Sequence, residues 1–544
     1  GESNSNNTAV GYASLMSITT GYQNAVIGAY AGDAITTGQN NTALGYAALS
    51  TEDTGTRNVA IGNEALKVLN YDGAGYNVAV GHRAGYDATT GTSNTLIGAF
   101  AGENITTSGD NVALGYAALG TATTAAHNTA LGQGAMGSVA ASQAVTGVVA
   151  IGSGALSGGA STTTGINYTI AIGNNALYSL TTGAGNLAIG YEAMKVHTTG
   201  GDNIAIGYGA MDDTDAGSTS LGSTNNIFIG KNSGGGTWAD VASIQNVVIG
   251  NNSADAALSG ANYNVGMGTN VYGALTQGDA NSAFGHGSLT ALTTGGSNVA
   301  VGNAAGATMT GTSNTVLIGS SAGSAINSTD ANATVAIGYQ ALQDLTSGQG
   351  TTAAGYRALA DVTTGDYNTA FGYASGDGMT TGLSNTLMGW GAGGASGFNA
   401  GSYNVMLGAE AGGYAIAPSS NVYIGYRSAG QNKQGGYNVI IGDAAGYNPV
   451  GNQYSGSHNV FMGYAAGYNT GADKNVFIGS SAGQYTTGSF NTFMGYQAGK
   501  GGTTSAPFSS GENNTALGYQ ALAGFTTGTY NVAIGYQADR KSVV

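Results

Sequence analysis

Two strings in this 544-residue chain carry the residue types of a serine nucleophile: Gly319-Ser320-Ser321-Ala322-Gly323 and Gly479-Ser480-Ser481-Ala482-Gly483. A serine between glycines becomes a nucleophile when a strand-to-helix turn exposes it and a histidine and an acid stand beside it. Neither string has such a turn or such partners. The five histidines, His82, His127, His197, His286 and His458, are scattered without metal-ligand spacing. Glycine-rich phosphate-loop look-alikes arise from composition alone, and no helix follows them to offer its N-terminus. The Gly-Gly-x-Gly-x-Asp nonapeptide of calcium-binding β-rolls is absent, and Asp110-Asn111 and Asp202-Asn203 read as turns. The sequence therefore predicts no catalytic residue, no cofactor and no metal, and the chain reads as something other than an enzyme.

Composition narrows the class further. The chain has 98 glycines, 3 prolines and no cysteine. Glycine without a period of three excludes collagen, and missing cysteine excludes a disulfide scaffold. An apolar share of 42% with 7% charged residues argues against simple disorder. Twelve Lys and Arg against 27 Asp and Glu leave a net charge of −15, which makes nucleic acid and anionic lipid poor partners. No apolar run is long enough to insert into a bilayer.

What would position any site is a repeat. One unit recurs: Asn, Thr or Val, a small residue, an aliphatic residue, Gly, often Tyr. Its glycine falls at 30 places from Gly11 to Gly535, and 17 of the 29 spacings are 17 residues. A unit this short cannot hold two helices, and Asn-Val-Ala-Ile-Gly alternates with the period of a strand. The fold class predicted is an all-β parallel β-solenoid (β-roll) of about 30 coils with a 17-residue modal repeat. Two strands of about five residues and two turns would complete each coil, and stacking at ~4.8 Å would make a fibre of about 140 Å. Residues 1–538 read as one continuous repeat region, and 539–544 as the end of the repeat and the start of a missing or removed segment.

Several columns follow from the register. Asn stands four residues before the glycine in 25 of 30 units, among them Asn24, Asn58, Asn111, Asn203, Asn298, Asn404 and Asn531. Stacked amides can bond along such a column. The residue before the glycine is large and apolar in 29 of 30 units, for example Ile27, Ile61, Ile151, Ile337 and Ile534, and is expected to fill the coil interior. Two residues before the glycine Ala prevails, until Met406, Tyr423, Ile440, Phe461, Phe477 and Phe493 replace it in successive units. That row reads either as a thickened core or as a possible subunit-contact row. Tyr follows the glycine in 13 units and Trp390 once, a row suited to packing or to stacking on glycans. Trp390, and Trp238 in the irregular stretch 233–245, are possible surface-binding residues. Thr-Thr-Gly segments read as turns, because too few coils carry them to form an ice-matching array.

Units such as Asn41-Thr42-Ala43-Leu44-Gly45-Tyr46-Ala47-Ala48-Leu49 and Asn514-Thr515-Ala516-Leu517-Gly518-Tyr519 resemble those of phage tail-fibre proteins, of the kind followed by an endosialidase-type chaperone domain. The Asn-x-Ala-Ile-Gly core is also similar to the head repeats of trimeric autotransporter adhesins, left-handed parallel β-rolls joined as homotrimers. The resemblance implies a homotrimeric structural or adhesive fibre shaft, in a virion tail fibre or at a cell surface. Its partners would be itself and a host-cell glycan or protein receptor. An exported bacterial trimeric adhesin or extracellular filament is the alternative.

Overall fold

The computed structural model describes residues 6–139, 144–158, 165–214, 222–239, 241–394, 400–414, 416–431, 435–449, 456–502 and 508–540. The chain is an all-β parallel β-solenoid divided into two compact units, Gly1–Asp279 and Ala280–Val544. Among the described residues lie thirty strands of three residues each, fifteen per unit, and a single turn of 3-10 helix at Thr329–Ala331. The end of the predicted repeat falls partly outside this description, at residues 541–544.

Each coil holds one strand where the sequence suggested two; the rest is a chain of turns. Three residues suffice because the coil is narrow. Within a unit every strand pairs in parallel, in register, with its successor, so Ala25 faces Thr42, Val26 faces Ala43 and Ile27 faces Leu44. The ladder continues past the strand: Gly45 N–H donates to the Ile27 carbonyl at 2.8 Å, and Ala47 N–H to the Ala29 carbonyl at 3.0 Å. After it, Ala47 and Leu49 take left-handed backbone angles, φ +51° and +54°. Such angles cost non-glycine residues about 1 kcal/mol each, and coil-to-coil hydrogen bonds hold them in place. The conserved-register glycine is a different case. A Cβ on Gly45 would stand 2.3 Å from the Gly62 carbonyl oxygen, so no side chain fits between these coils.

Period-two alternation decides what faces the core, and here the expectation was one residue out of register. In each strand after the first, the middle residue is buried and its neighbours are not. Ile27, Ile337 and Ile534 are 44%, 41% and 66% exposed, and Ile61 and Ile151 are half-buried. They line the outside of the sheet instead of filling it. A one-residue shift exchanges the two faces of a strand, and the small Ala column goes inside because little width is available there. The same rule corrects the bulky row: Met406, Tyr423, Ile440, Phe461, Phe477 and Phe493 are fully buried within their own coils. They form a thickened core, not a subunit contact. Phe461, Phe477 and Phe493 stack at 5.1 and 5.0 Å, nearly parallel.

The space for such residues is made four positions after the glycine. Where the strand centre is Ala43, Ala336 or Ala353, that position holds Leu49, Leu342 or Leu359. Where the centre is Leu317, Met406, Phe461 or Phe477, it holds Gly323, Gly412, Gly467 or Gly483. Gly266 is matched in the same way by Tyr272, whose hydroxyl donates to the Val265 carbonyl at 2.9 Å. One large side chain per coil fills the interior, supplied from either end of the turn. Where the supply changes sides a coil can be small at both, as at Ala79/Gly85. There Leu66 of the coil before and Leu96 of the coil after lean into the gap, 2.9 and 2.8 Å from a Cβ placed on Gly85.

Candidate functional site

The Asn column is the internal spine. Asn24 donates its backbone N–H and its Nδ2 to Oδ1 of Asn7, at 2.8 and 3.1 Å, and a second Nδ2 hydrogen to the Gly38 carbonyl at 2.9 Å. Each amide thus bonds the coil before and the coil after. Equivalent backbone-to-amide bonds link Asn58, Asn111, Asn203, Asn298, Asn404 and Asn531 to their predecessors. A buried amide so fully engaged has no group left for a ligand. Thr315 substitutes by donating its hydroxyl to Asn298 Oδ1 at 2.8 Å. Val148 offers no acceptor, and the Thr169 hydroxyl one coil later is buried without a partner. The Asn475 Nδ2 is also unpartnered.

The outer strand face presents the opposite chemistry. Its two columns are the first and third residues of every strand, and neither contains a charged residue. From Val149–Ile151 through Val247–Ile249, six consecutive strands carry aliphatic side chains in both columns, all half-exposed. In the fifteen strands of one unit this strip runs for about 70 Å at the usual strand spacing. Charges lie instead on the turns. Arg357 pairs with Asp377 at 3.0 Å, Arg83 with Glu103 at 3.1 Å, and Arg427 with Glu410.

Beside the strands runs the aromatic row. Tyr339, Tyr356 and Tyr373 stack at 5.3 and 4.8 Å, with Trp390 53% exposed in the next coil. The following coil places Ala409 in this row, so the stack stops and a groove of about 350 Å³ opens. Tyr373, Trp390, Gly391, Glu410, Gly413 and Tyr414 line it. Trp238 is not a surface residue: it is fully buried against Phe228, its Nε1–H donating to the Gly234 carbonyl at 3.0 Å.

Ser321 and Ser481 each donate a backbone N–H to the preceding coil, at 2.9 and 2.8 Å. His197 is buried, with Nδ1 2.8 Å from the Thr214 hydroxyl and Nε2 3.1 Å from the Gly200 carbonyl, and burial pushes its pKa down to about 4. Glu52 is fully buried with carboxylate oxygens accepting from Gly55 and Tyr71 N–H at 2.6 and 3.2 Å; burial raises its pKa against the pull of those bonds. Among the described residues no three His, Asp or Glu side chains gather as metal ligands, and no helix is long and apolar enough to cross a membrane.

Fold and surface together define a β-solenoid repeat protein with an amide spine, an uncharged strand face and a charged turn side. The chain matches no protein-family model and no curated protein.

Proposed function

We propose that the chain is the shaft of an extracellular fibre, of the phage or phage-like tail-fibre kind, in which three copies pack together and meet a host-cell surface. The observation that carries this reading is the uncharged strand face. Proteins that remain monomeric rarely expose contiguous apolar patches beyond a few hundred Å². A second copy of the same face has the same coil spacing and no charge to desolvate, so it can follow the strip from coil to coil. The rest of the architecture suits mechanical duty: adjacent coils are tied by strand, turn and amide hydrogen bonds, so bending strains many of them at once. The role is structural and adhesive and involves no bond-making step.

The cell-surface part of the reading is tested by incubating fluorescently labelled chain with candidate host cells. Saturable labelling that excess unlabelled chain competes away is expected. Labelling that stays proportional to concentration on every cell type tried would overturn it.

A further inference from the structure

Beside Trp390 the aromatic row changes from a packed stack to an open wall. We propose that this groove is a binding site for a neutral sugar, one or two pyranose rings of a glycan. This rests on the cell-surface reading for its setting, but not for the binding itself.

Three features point to that ligand. First, the groove presents flat aromatic surface left open by the described residues: Trp390, Tyr373 and Tyr414 are 53%, 54% and 49% exposed. The C–H face of a pyranose stacks on such rings, and aromatic side chains keep polar edges available beside the contact. Second, Glu410 lines the same groove, held in place by its ion pair with Arg427. A positioned carboxylate accepts hydrogen bonds from sugar hydroxyls, and bonds to a charged acceptor are the strong ones. Third, the volume of about 350 Å³ lies at the small end of ligand sites, enough for a short saccharide. The charge decides between sugar classes. No cationic side chain is among the lining residues, the nearby Arg427 is already paired with Glu410, and the chain carries −15 overall, so a sialylated or phosphorylated sugar finds no free cation to pair with.

The groove exists because of specific small residues. Coils nearby carry Gln340, Arg357 and Arg427 in the position held here by Gly391. Their backbone angles, φ +55°, +51° and +53°, are close to the +61° of Gly391. A Cβ on Gly391 meets nothing nearer than Glu410 Cγ at 4.0 Å. A glutamine at 391 would therefore keep the coil and fill the groove. Trp390 is equally replaceable: Ala29, Ala99 and Ala409 occupy its position in other coils.

The test is a titration of the intact chain with neutral oligosaccharides of glucose, galactose and N-acetylglucosamine, and with sialyllactose as the anionic arm. Binding is read by tryptophan fluorescence and by calorimetry. Trp238 is buried, so the ligand-dependent change belongs to Trp390. Saturable binding of at least one neutral sugar is expected, lowered at least tenfold in Trp390→Ala and in Gly391→Gln with circular dichroism unchanged. No binding of any neutral sugar, binding of sialyllactose alone, or full binding by both variants would overturn the proposal. Solution mass measured on the same samples separates the two readings, since a monomer that binds sugar would sink the shaft and leave the site.

Discussion

A Cβ on Gly323 would stand 2.8 Å from Cδ2 of Leu317 in the same coil, so these two positions share the space of one large side chain. The neighbouring coil solves the same problem the other way, with Ala336 and Leu342. Leu342 has φ +50° and Gly323 has φ +56°, so the backbone at 323 already suits leucine. Leu317→Ala alone leaves a cavity and is expected to cost about 3 kcal/mol. Gly323→Leu alone overpacks the coil and costs at least ~1–3 kcal/mol. The double variant restores one large residue and should recover most of both, a coupling of about 2 kcal/mol or more. Hydrogen-exchange protection of this coil checks it; strictly additive losses would contradict the shared-space account.

The amide spine makes opposite predictions at two sites. Asn404 Oδ1 accepts from Asn421 twice, at 3.1 Å each, while its Nδ2 donates to Asn385 Oδ1 and the Pro418 carbonyl, both at 2.9 Å. Asn404→Leu strands those groups in the interior, at a cost of about 3 kcal/mol. Val148→Asn supplies the acceptor that the Thr169 hydroxyl lacks and should gain about 1 kcal/mol. Denaturant unfolding of both variants measures the difference. A Val148→Asn protein less stable than the parent would show that the amide column is tolerated, not preferred, at that coil.

Acid should loosen unit 1 through His197. The ring is neutral in the fold with a pKa near 4, against an ordinary 6.5, because burial disfavours its charged form. Below pH 6.5 the unfolded chain takes up a proton that the folded coil refuses, so stability falls between about pH 6.5 and 4 and is intact above. The loss approaches ~3 kcal/mol at the acid end. Equivalent positions in other coils hold Leu180 and Ile105, so His197→Leu should fold and remove the dependence. Asp212, raised to about 6 chiefly by burial, acts with opposite sign and loses stability as pH rises toward 6. Exchange protection near residue 197 as a function of pH, in parent and variant, isolates the histidine; identical profiles would refute its role.

The strand face and the core row should separate assembly from folding. Ile172 and Ile206 lie in the outer column of the aliphatic stretch, half-exposed. The pair Ile172→Lys and Ile206→Lys puts two charges into the proposed contact while keeping long side chains able to reach water. Dissociation with unchanged circular dichroism is expected. Phe477→Ala, by contrast, should cost about 3–5 kcal/mol of stability and leave the number of associated copies as it was. Light scattering distinguishes these outcomes, and a lysine pair that still assembles would move the contact elsewhere.

The repeat, its period and the amide column were legible in the sequence because each recurs at fixed spacing from the same glycine. Which strand face is buried was not. Alternation gives two faces, and hydrophobicity pointed to the larger residues, Ile27 and Ile337, whereas the narrow coil selects Val26 and Ala336 for its interior. The missing signal was a volume relationship. Bulky Leu317 or Phe477 comes with glycine four places after the coil glycine, Tyr423 with Ala429, and small Ala43 with Leu49; that compensation marks both as core. Trp238 was misread for a related reason: an irregular stretch suggests a surface loop, but Phe228 and the Gly234 carbonyl give the indole a buried partner for each of its parts. Trp390 was recognisable as exposed only by its place in the aromatic row. The groove beside it depends on the smallness of Gly391, Ala409 and Gly413, which the row alone does not reveal.

The most direct test of the central claim is the mass of the intact chain in solution, by sedimentation equilibrium at micromolar concentration and near-neutral pH. A shaft covered along its uncharged strand face predicts a stable species of three 53.3 kDa chains. A single species at the mass of one chain would contradict it.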